Sequence, residues 1–379
     1  MSSRRPARRV TVRRVATVLV WMVLVSVAGC GGGGGGGTPA GQQGPAAAFL
    51  QAYVRPDGRV ARPDQGEDTV SEGQAYAMLL AEAAGDGETF DRVWRWTRDH
   101  LRRADGLFAF HADRSGRILD QEPASDADLL VAWALLRHGG PDADSLHAEG
   151  KQVAVAILDH EVTTDPAGVP VLAAGPWATG RPASLDPSYW SPPAYRDLAR
   201  LTGDPRWDRL AGAVLPLTRR FTDAGRLLPP DWVAMTADGA LRPEPAPGGT
   251  PAQTQYGLDA QRLVVWLAVA CDRQARALAG RWWTVLRQTD RSAALALHPD
   301  GQVLDPTPAP LPLVAAAAAA AAAGDTASRD RLLDRADLQH RQHPTYYGGA
   351  WAALGRLLLT SSTLTSCPHL LRRSRSYRR

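Results

Sequence analysis

The feature that most restricts the fold is a helical period running through most of the chain. Apolar residues recur at three- and four-residue spacing near 70–84, 88–103, 125–138, 144–161, 187–202, 205–221, 252–271, 273–289, 325–338 and 344–361. The run Ala315–Ala323 adds a strong helix former, and a weaker segment near 45–54 precedes the rest. Glycine and proline punctuate the gaps, at Gly85–Gly87, Gly139–Pro141, Gly203–Pro205 and Pro299–Gly301. Strand patterns are confined to Ile118-Leu119 and Arg226-Leu227-Leu228. About twelve helices with alternating short and long connections pair into six hairpins, which predicts an all-α (α/α)6 toroid, a six-hairpin barrel. No fixed-period repeat points to a solenoid. The Pro/Gly-rich stretch 243–251 lies between apolar helices and reads as a surface loop.

The first residues stand apart from this pattern. Arg4, Arg5, Arg8, Arg9, Arg13 and Arg14 precede an apolar run from Val15 to Ala28. As a helix that run would be roughly 21 Å long, short of the roughly 30 Å hydrocarbon core of a bilayer. Residues 1–29 therefore read as a signal peptide. The run closes on Val27-Ala28-Gly29-Cys30, which resembles a bacterial lipobox with Cys30 as the lipidated first residue. Residues 30–44, with Gly31–Gly37, read as a tether, residues 45–361 as the folded domain and 362–379 as a basic tail expected to be disordered. The expected location is the outer face of the cell membrane, with secretion or a periplasmic location as the alternative. Of the remaining cysteines, Cys271 ends an apolar helical stretch and reads as a buried thiol rather than half of a disulfide with Cys367. No zinc-type spacing occurs, and no metal or organic cofactor is implied.

The formal charge of +4 comes from the two ends. Eleven of the 43 basic residues lie in the leader and the tail, whereas all 39 acids fall within 45–367. An acidic body excludes nucleic acid as a natural partner, because the phosphate backbone demands clustered Lys and Arg.

Three carboxylates stand at or inside apolar helices: Glu72 in Thr69-Val70-Ser71-Glu72-Gly73-Gln74-Ala75-Tyr76, Asp126 in Ala124-Ser125-Asp126-Ala127-Asp128, and Asp259. Acids so placed suit acid–base work, and hydrolysis of a glycosidic bond is a reaction that needs a pair of them. Each also has an ordinary structural explanation. Thr69 and Glu72 fit a capping box, Ser125 can cap with Asp128 at the third position, and Asp259 with Arg262 can form a solvated pair. Against the last, Gln255, Asp259, Arg262 and Trp266 share one helical face, a strip of amide, carboxylate, guanidinium and indole that suits sugar hydroxyls and apolar sugar faces. Twelve Trp stand against five Phe. Trp94, Trp96, Trp133, Trp282 and Trp283 read as packing. Trp177, Trp190 and Trp232 lie in Pro/Gly-rich loops and are the better candidates for stacking on a ligand.

These motifs, in order, resemble those of glycoside hydrolase family 8. The segment around Glu72 is similar to the family's acid motif, Ala124–Asp128 with Ala132-Trp133 and Leu135-Leu136 to its signature, and Asp259-Ala260-x-Arg262 to its third motif. Asp186-Pro187-Ser188-Tyr189, Pro230-Asp231-Trp232-Val233 and Tyr346-Tyr347 resemble further landmarks. The similarity spans about residues 50–360 and is strongest to endoglucanases encoded beside bacterial cellulose synthases. It implies an (α/α)6 toroid that hydrolyses β-1,4-glucan with inversion. By the same resemblance Glu72 is the general acid, Asp259 the general base held by Arg262, and Asp126 a group that binds and distorts the sugar. Tyr189 lies near the attacking water, and Trp190, Trp232, Tyr346 and Tyr347 line the substrate. The expected partners are the glucan, the membrane through Cys30 and the cellulose-synthesis machinery, with the protein a monomer. The chain departs from the family pattern at Ala77, where Gly is usual, at Leu258, where Tyr is usual, and at Gly348, where an acid is common. A related hydrolase of chitosan or xylan, or a glucan-binding lipoprotein with little turnover, are the alternatives.

Overall fold

The structure, a computed structural model, describes residues 44–247, 253–365 and 367. The expected leader, Cys30 and residues 368–379 of the tail lie outside the described residues. Thirteen helices follow in the described residues: α1 (Pro45–Tyr53), α2 (Ser71–Ala84), α3 (Gly87–Leu101), α4 (Ser125–Arg137), α5 (Ala143–His160), α6 (Pro192–Thr202), α7 (Arg206–Phe221), α8 (Leu258–Ala268), α9 (Arg273–Arg281), α10 (Trp283–Leu286), α11 (Pro310–Ala322), α12 (Thr326–Gln342) and α13 (Tyr346–Thr360).

Burial sorts them into two rings. Helices α2, α4, α8, α11 and α13 bury nearly every residue along their middle turns, as a helix apolar on all sides must. Helices α3, α7 and α9 alternate buried and exposed faces. Successive inner helices α2, α4, α6, α8, α11 and α13 pack side by side, and α13 returns to α2 and closes the ring. The outer helices α1, α3, α5, α7, α9 and α12 each pack on the inner ones. This is the expected (α/α)6 toroid. The alanine run shows why it closes: Ala315–Ala320 are fully buried, and side chains this small let α11 approach its neighbours closely.

The strand content exceeds the expectation. Four small antiparallel sheets decorate one end of the barrel, among them Thr69–Val70 with His111–Ala112 and Ile118–Asp120, and Ala183–Leu185 with Trp232–Met235 and Leu241–Glu244. Most of these strands are two to four residues long, too short to show a period of two. Of the two expected strands, Ile118-Leu119 forms, whereas Arg226–Leu228 is a loop after a 3-10 turn. The segment 243–251 begins inside a strand rather than as a loop.

Two helix starts also differ. Thr69 does not cap α2: it lies in a strand, its hydroxyl donates to the Val60 carbonyl at 3.0 Å, and the N-cap is Val70. Ser125 does not cap α4 either. Its hydroxyl donates to the Ala173 carbonyl at 2.6 Å, while Asp128 accepts from the Phe108 amide at 2.9 Å. The loops between hairpins supply partners to these helix ends, which frees Glu72 and Asp126 from capping.

The last correction is covalent. Cys271 and Cys367 form a disulfide. The ordered chain correspondingly runs past 361: Leu364 is buried, and Arg137 donates to the Thr363 carbonyl.

Candidate active site

The first turns of the inner helices converge where the small sheets sit, and there the three acids meet. Arg262, one turn into α8, is the hub. Its Nη1 donates to Asp126 Oδ2 at 2.6 Å and to Tyr76 Oη at 3.3 Å. Its Nη2 donates to Asp259 Oδ1 at 3.0 Å and lies 3.4 Å from Asp186 Oδ2. The guanidinium also lies over the Tyr189 ring, 5.2 Å from its centroid. The pair expected from Asp259 and Arg262 therefore forms, but with a buried arginine rather than on a solvated face.

The acids differ in environment. Glu72, at the second position of α2, is half-buried, and its Oε2 is sealed from solvent with no hydrogen-bond partner. Burial first, and the Asp126 charge second, push its carboxyl up to about 8, against the opposing pull of Arg262 and Arg62. Asp126 is buried. Burial raises its pKa and Arg262 opposes the rise, while the Ala127 amide donates to its Oδ1 at 2.9 Å. The Asp259 side chain keeps 36% of its surface exposed and accepts a second bond from Trp232 Nε1 at 3.3 Å. One carboxyl is thus desolvated and holds its proton, and another opens to solvent beside a cation. Asp126 is linked to both, through its charge on Glu72 and through Arg262, which it shares with Asp259.

Around this core the aromatic candidates divide. Trp232 reaches Asp259, with the Tyr189 ring 6.2 Å away and the exposed Trp177 ring 6.5 Å away. Tyr346 packs over Gly73: a Cβ there would stand 2.6 Å from the Tyr346 hydroxyl, so only glycine permits the contact. Tyr347 donates to the Leu258 carbonyl at 3.4 Å. Trp190 is not in the cleft. Its ring is buried against Phe221, and its indole N–H donates to the Leu172 carbonyl at 2.9 Å, so it is a core residue. Trp266 is likewise buried between Trp133 and Trp351 rather than facing a ligand, and Gln255 precedes α8 and donates to Asp231.

Three groups escaped assignment from sequence. Asp231 takes the amides of Gly257 and Ala260, both at 2.8 Å, and so anchors the first turn of α8 from another segment. Burial, then the Asp259 charge, raise its carboxyl to about 7. Asp186, fully buried, is driven well above the usual carboxylate range by burial and the Asp259 charge. Tyr76 completes the shell of Arg262. Asp186 and Asp231 both lie in motifs visible in the sequence, yet their partners lie about 76 and 26–29 residues away, so nothing local assigns them a role.

A six-hairpin helical barrel with paired carboxylates in an aromatic-lined cleft defines a class of glycoside hydrolases. The profile of glycosyl hydrolases family 8 matches residues 43–360, and the chain belongs to that family. An endoglucanase of Cellulomonas uda is 34% identical over 201 residues, covering 52% of this chain and 56% of that protein. A probable endoglucanase of Novacetimonas hansenii is 35% identical over 213 residues, covering 52% of this chain and 59% of that protein. The aligned part thus spans little more than half the length of these curated relatives. Among solved structures, an endo-β-1,4-glucanase from Acetobacter xylinum superposes with a TM-score of 0.68 at 26% identity, over 84% of this chain and 98% of that one. A family 8 endo-β-1,4-glucanase from an Achatina fulica gut metagenomic library gives 0.70 at 26% identity, over 85% and 98%.

Proposed function

We propose that the chain is an exported endo-β-1,4-glucanase that cleaves with inversion. The carrying observation is the contrast between Glu72, whose Oε2 is sealed from solvent without a partner and which holds its proton to about pH 8, and Asp259, open to solvent and hydrogen-bonded by Arg262 and Trp232. Glu72 gives its proton to the leaving glycosidic oxygen. Asp259 takes a proton from water attacking the anomeric carbon on the opposite face, so configuration inverts. Inversion needs about 6.5–9.5 Å between the two carboxyls to admit that water. Asp126 binds the sugar at the cleavage point, and Tyr189, held under Arg262, lies by the water. The endo-β-1,4-glucanase activity of the relatives supports β-1,4-glucan as substrate.

The test is a cello-oligosaccharide digest in which the anomer of the first product is read by NMR before it mutarotates. α-Configured new reducing ends are expected, and β-configured ends would reject inversion. Asp259→Asn should lower kcat by roughly 10²–10⁴-fold, the usual worth of a general base, with little change in the melting temperature. Near-normal turnover would remove Asp259 from the role. Because the acid must carry its proton, kcat should fall as pH rises through about 8. A flat profile to pH 10 would contradict Glu72 as donor. Gly73→Ala should displace Tyr346 and lower kcat/KM on the order of tenfold to a hundredfold, as steady-state kinetics would read.

The location belongs to the same proposal. The signal-like leader and Cys30 motivate export with a lipid anchor on the outer face of the membrane. The Cys271–Cys367 disulfide supports it, because cytosolic thiol buffers keep such pairs reduced. Mass spectrometry of the membrane fraction would find Cys30 acylated, and an unmodified leader in the cytosol would overturn this. The cellulose-synthesis machinery remains the partner proposed by family resemblance.

A further inference from the structure

Asp128, the second acid of the Ala124–Asp128 motif, takes no part in the mechanism above. It lies one turn after Ser125, on the same face of α4. Together the two residues tie that turn to neighbouring loops. Ser125 donates from Oγ to the Ala173 carbonyl at 2.6 Å and from its amide to the Ala174 carbonyl at 3.1 Å, and Asp128 Oδ1 accepts from the Phe108 amide at 2.9 Å. The Asp128 carboxyl also meets that of Glu161, which ends α5 and takes the Ala173 amide on its own carbonyl at 2.9 Å. Both acids are fully buried. Among the described residues no N–H or O–H of another group donates to Asp128 Oδ2 or to either oxygen of Glu161. Tyr195, buried on α6 near Glu161, does not bond to it.

Two carboxyls in contact and closed to solvent cannot both be ionised, and a buried carboxylate without donors is costly. One proton answers both demands. Glu161, as the carboxylic acid, donates to Asp128, and Asp128, as the carboxylate, accepts from Glu161 and from the Phe108 amide. Burial first, and the Asp128 charge second, drive Glu161 well above the usual carboxylate range. Burial raises Asp128 too, against the Phe108 amide. The acids nearby, Asp126 and Asp105, favour retention of the proton, and the cation Arg103 is already paired with Asp105. Asp126 stands in the same turn, with its own carboxylate on Arg262.

We propose that Asp128 and Glu161 share one proton, and that this pair is a positioning device that clamps the first turn of α4 and so sets Asp126 against Arg262 and the sugar. The role of Asp126 rests on the glucanase reading, whereas the shared proton does not.

The test combines infrared spectra of the full chain at pH 7 with kinetics on cellohexaose. The wild-type spectrum minus that of Glu161→Gln should contain the carbonyl stretch of one protonated carboxylic acid. Glu161→Gln, whose amide N–H takes the place of the shared proton, should keep kcat near the wild-type value. Glu161→Leu, similar in size but without a donor, should lower kcat roughly tenfold to a hundredfold through a displaced Asp126, with little change in KM. Glu161→Asp, one methylene shorter and out of reach of Asp128, should fall with it, and decides the matter should the leucine variant not fold. A difference spectrum without the acid band, or Glu161→Gln as damaged as Glu161→Leu, would overturn the shared proton. Normal kcat in Glu161→Leu or Glu161→Asp would overturn the positioning role. Cellohexaose left intact by the wild type would reject the glucanase reading and the role of Asp126 with it, while the infrared result would still decide the proton.

Discussion

Glu72→Gln is expected to produce a protein that is both nearly inactive and more stable. The loss follows from chemistry: an amide cannot deliver a proton to the leaving oxygen, and general acids contribute roughly 10²–10⁴-fold. The gain follows from linkage. In the folded chain Glu72 keeps its proton to about pH 8, whereas an unfolded glutamate releases it near 4.5. Between those values the folded state binds the extra proton, so stability falls as pH rises through the window. At pH 7 the cost is about 3 kcal/mol, at 1.36 kcal/mol for each pH unit above the unfolded value. Glutamine has no proton to lose and removes that cost. Thermal unfolding should therefore show the variant and wild type melting together at pH 4 and the variant melting higher at pH 8. Two melting curves that stay parallel across this range would show that the Glu72 carboxyl is not held protonated by burial. A substrate with a good leaving group, such as an aryl cellobioside of a low-pKa phenol, should recover much of the lost rate, because its departure needs little protonation. Such a split between natural and activated substrates is a signature of a missing acid rather than of a damaged cleft.

The parts legible in the sequence are those with a local physical cause. An inner helix such as α4 is apolar on every side, and an acid in its first turn is conspicuous, so Asp126 could be singled out without knowing its partner. The same held for Asp259 with Arg262, because i and i+3 on a helix are neighbours whatever the fold. What escaped depends on contacts between distant segments. The capping reading of Thr69 failed because His111–Ala112 pairs with that stretch and draws Thr69 into a strand. Trp190 looked like a loop aromatic, yet the carbonyl that accepts its N–H lies 18 residues earlier, on Leu172, and takes the ring into the core. Asp231 caps the start of α8 across 26 residues of chain, part of it a Pro/Gly-rich stretch, and the spacing gives no sign of it. Local patterns thus mark which residues are unusual, and tertiary pairing decides which of them face the cleft.

The disulfide is the clearest case, and it carries the second large expectation. Cys271 and Cys367 are 96 residues apart, with α9 to α13 between them. The bond lies beyond the C-terminal end of α8, at the face of the barrel remote from the acids. There the segment after α13 returns beneath the ring: Leu364 is buried, Arg137 at the end of α4 holds the Thr363 carbonyl, and Arg137 also pairs with Asp197 of α6 at 2.8 Å. The strap therefore ties the end of the last inner helix across the ring to α4, α6 and α8. Opening the bond frees the unfolded chain of a loop of this length, which is worth about 4–5 kcal/mol of stability in the chain-entropy account. For a domain of this size that corresponds to a fall in melting temperature on the order of 10 °C. Cys271→Ala with Cys367→Ala, and wild type in a strong reductant, should both show it, while kcat at 25 °C stays near normal because the cleft lies at the other end of the inner helices. Equal melting of oxidised and reduced protein would mean that Leu364 and the Arg137 contacts hold the strap by themselves. A reductant that instead abolished activity at 25 °C would show that closure of the ring reaches through the helices to Arg262 and the acids it gathers.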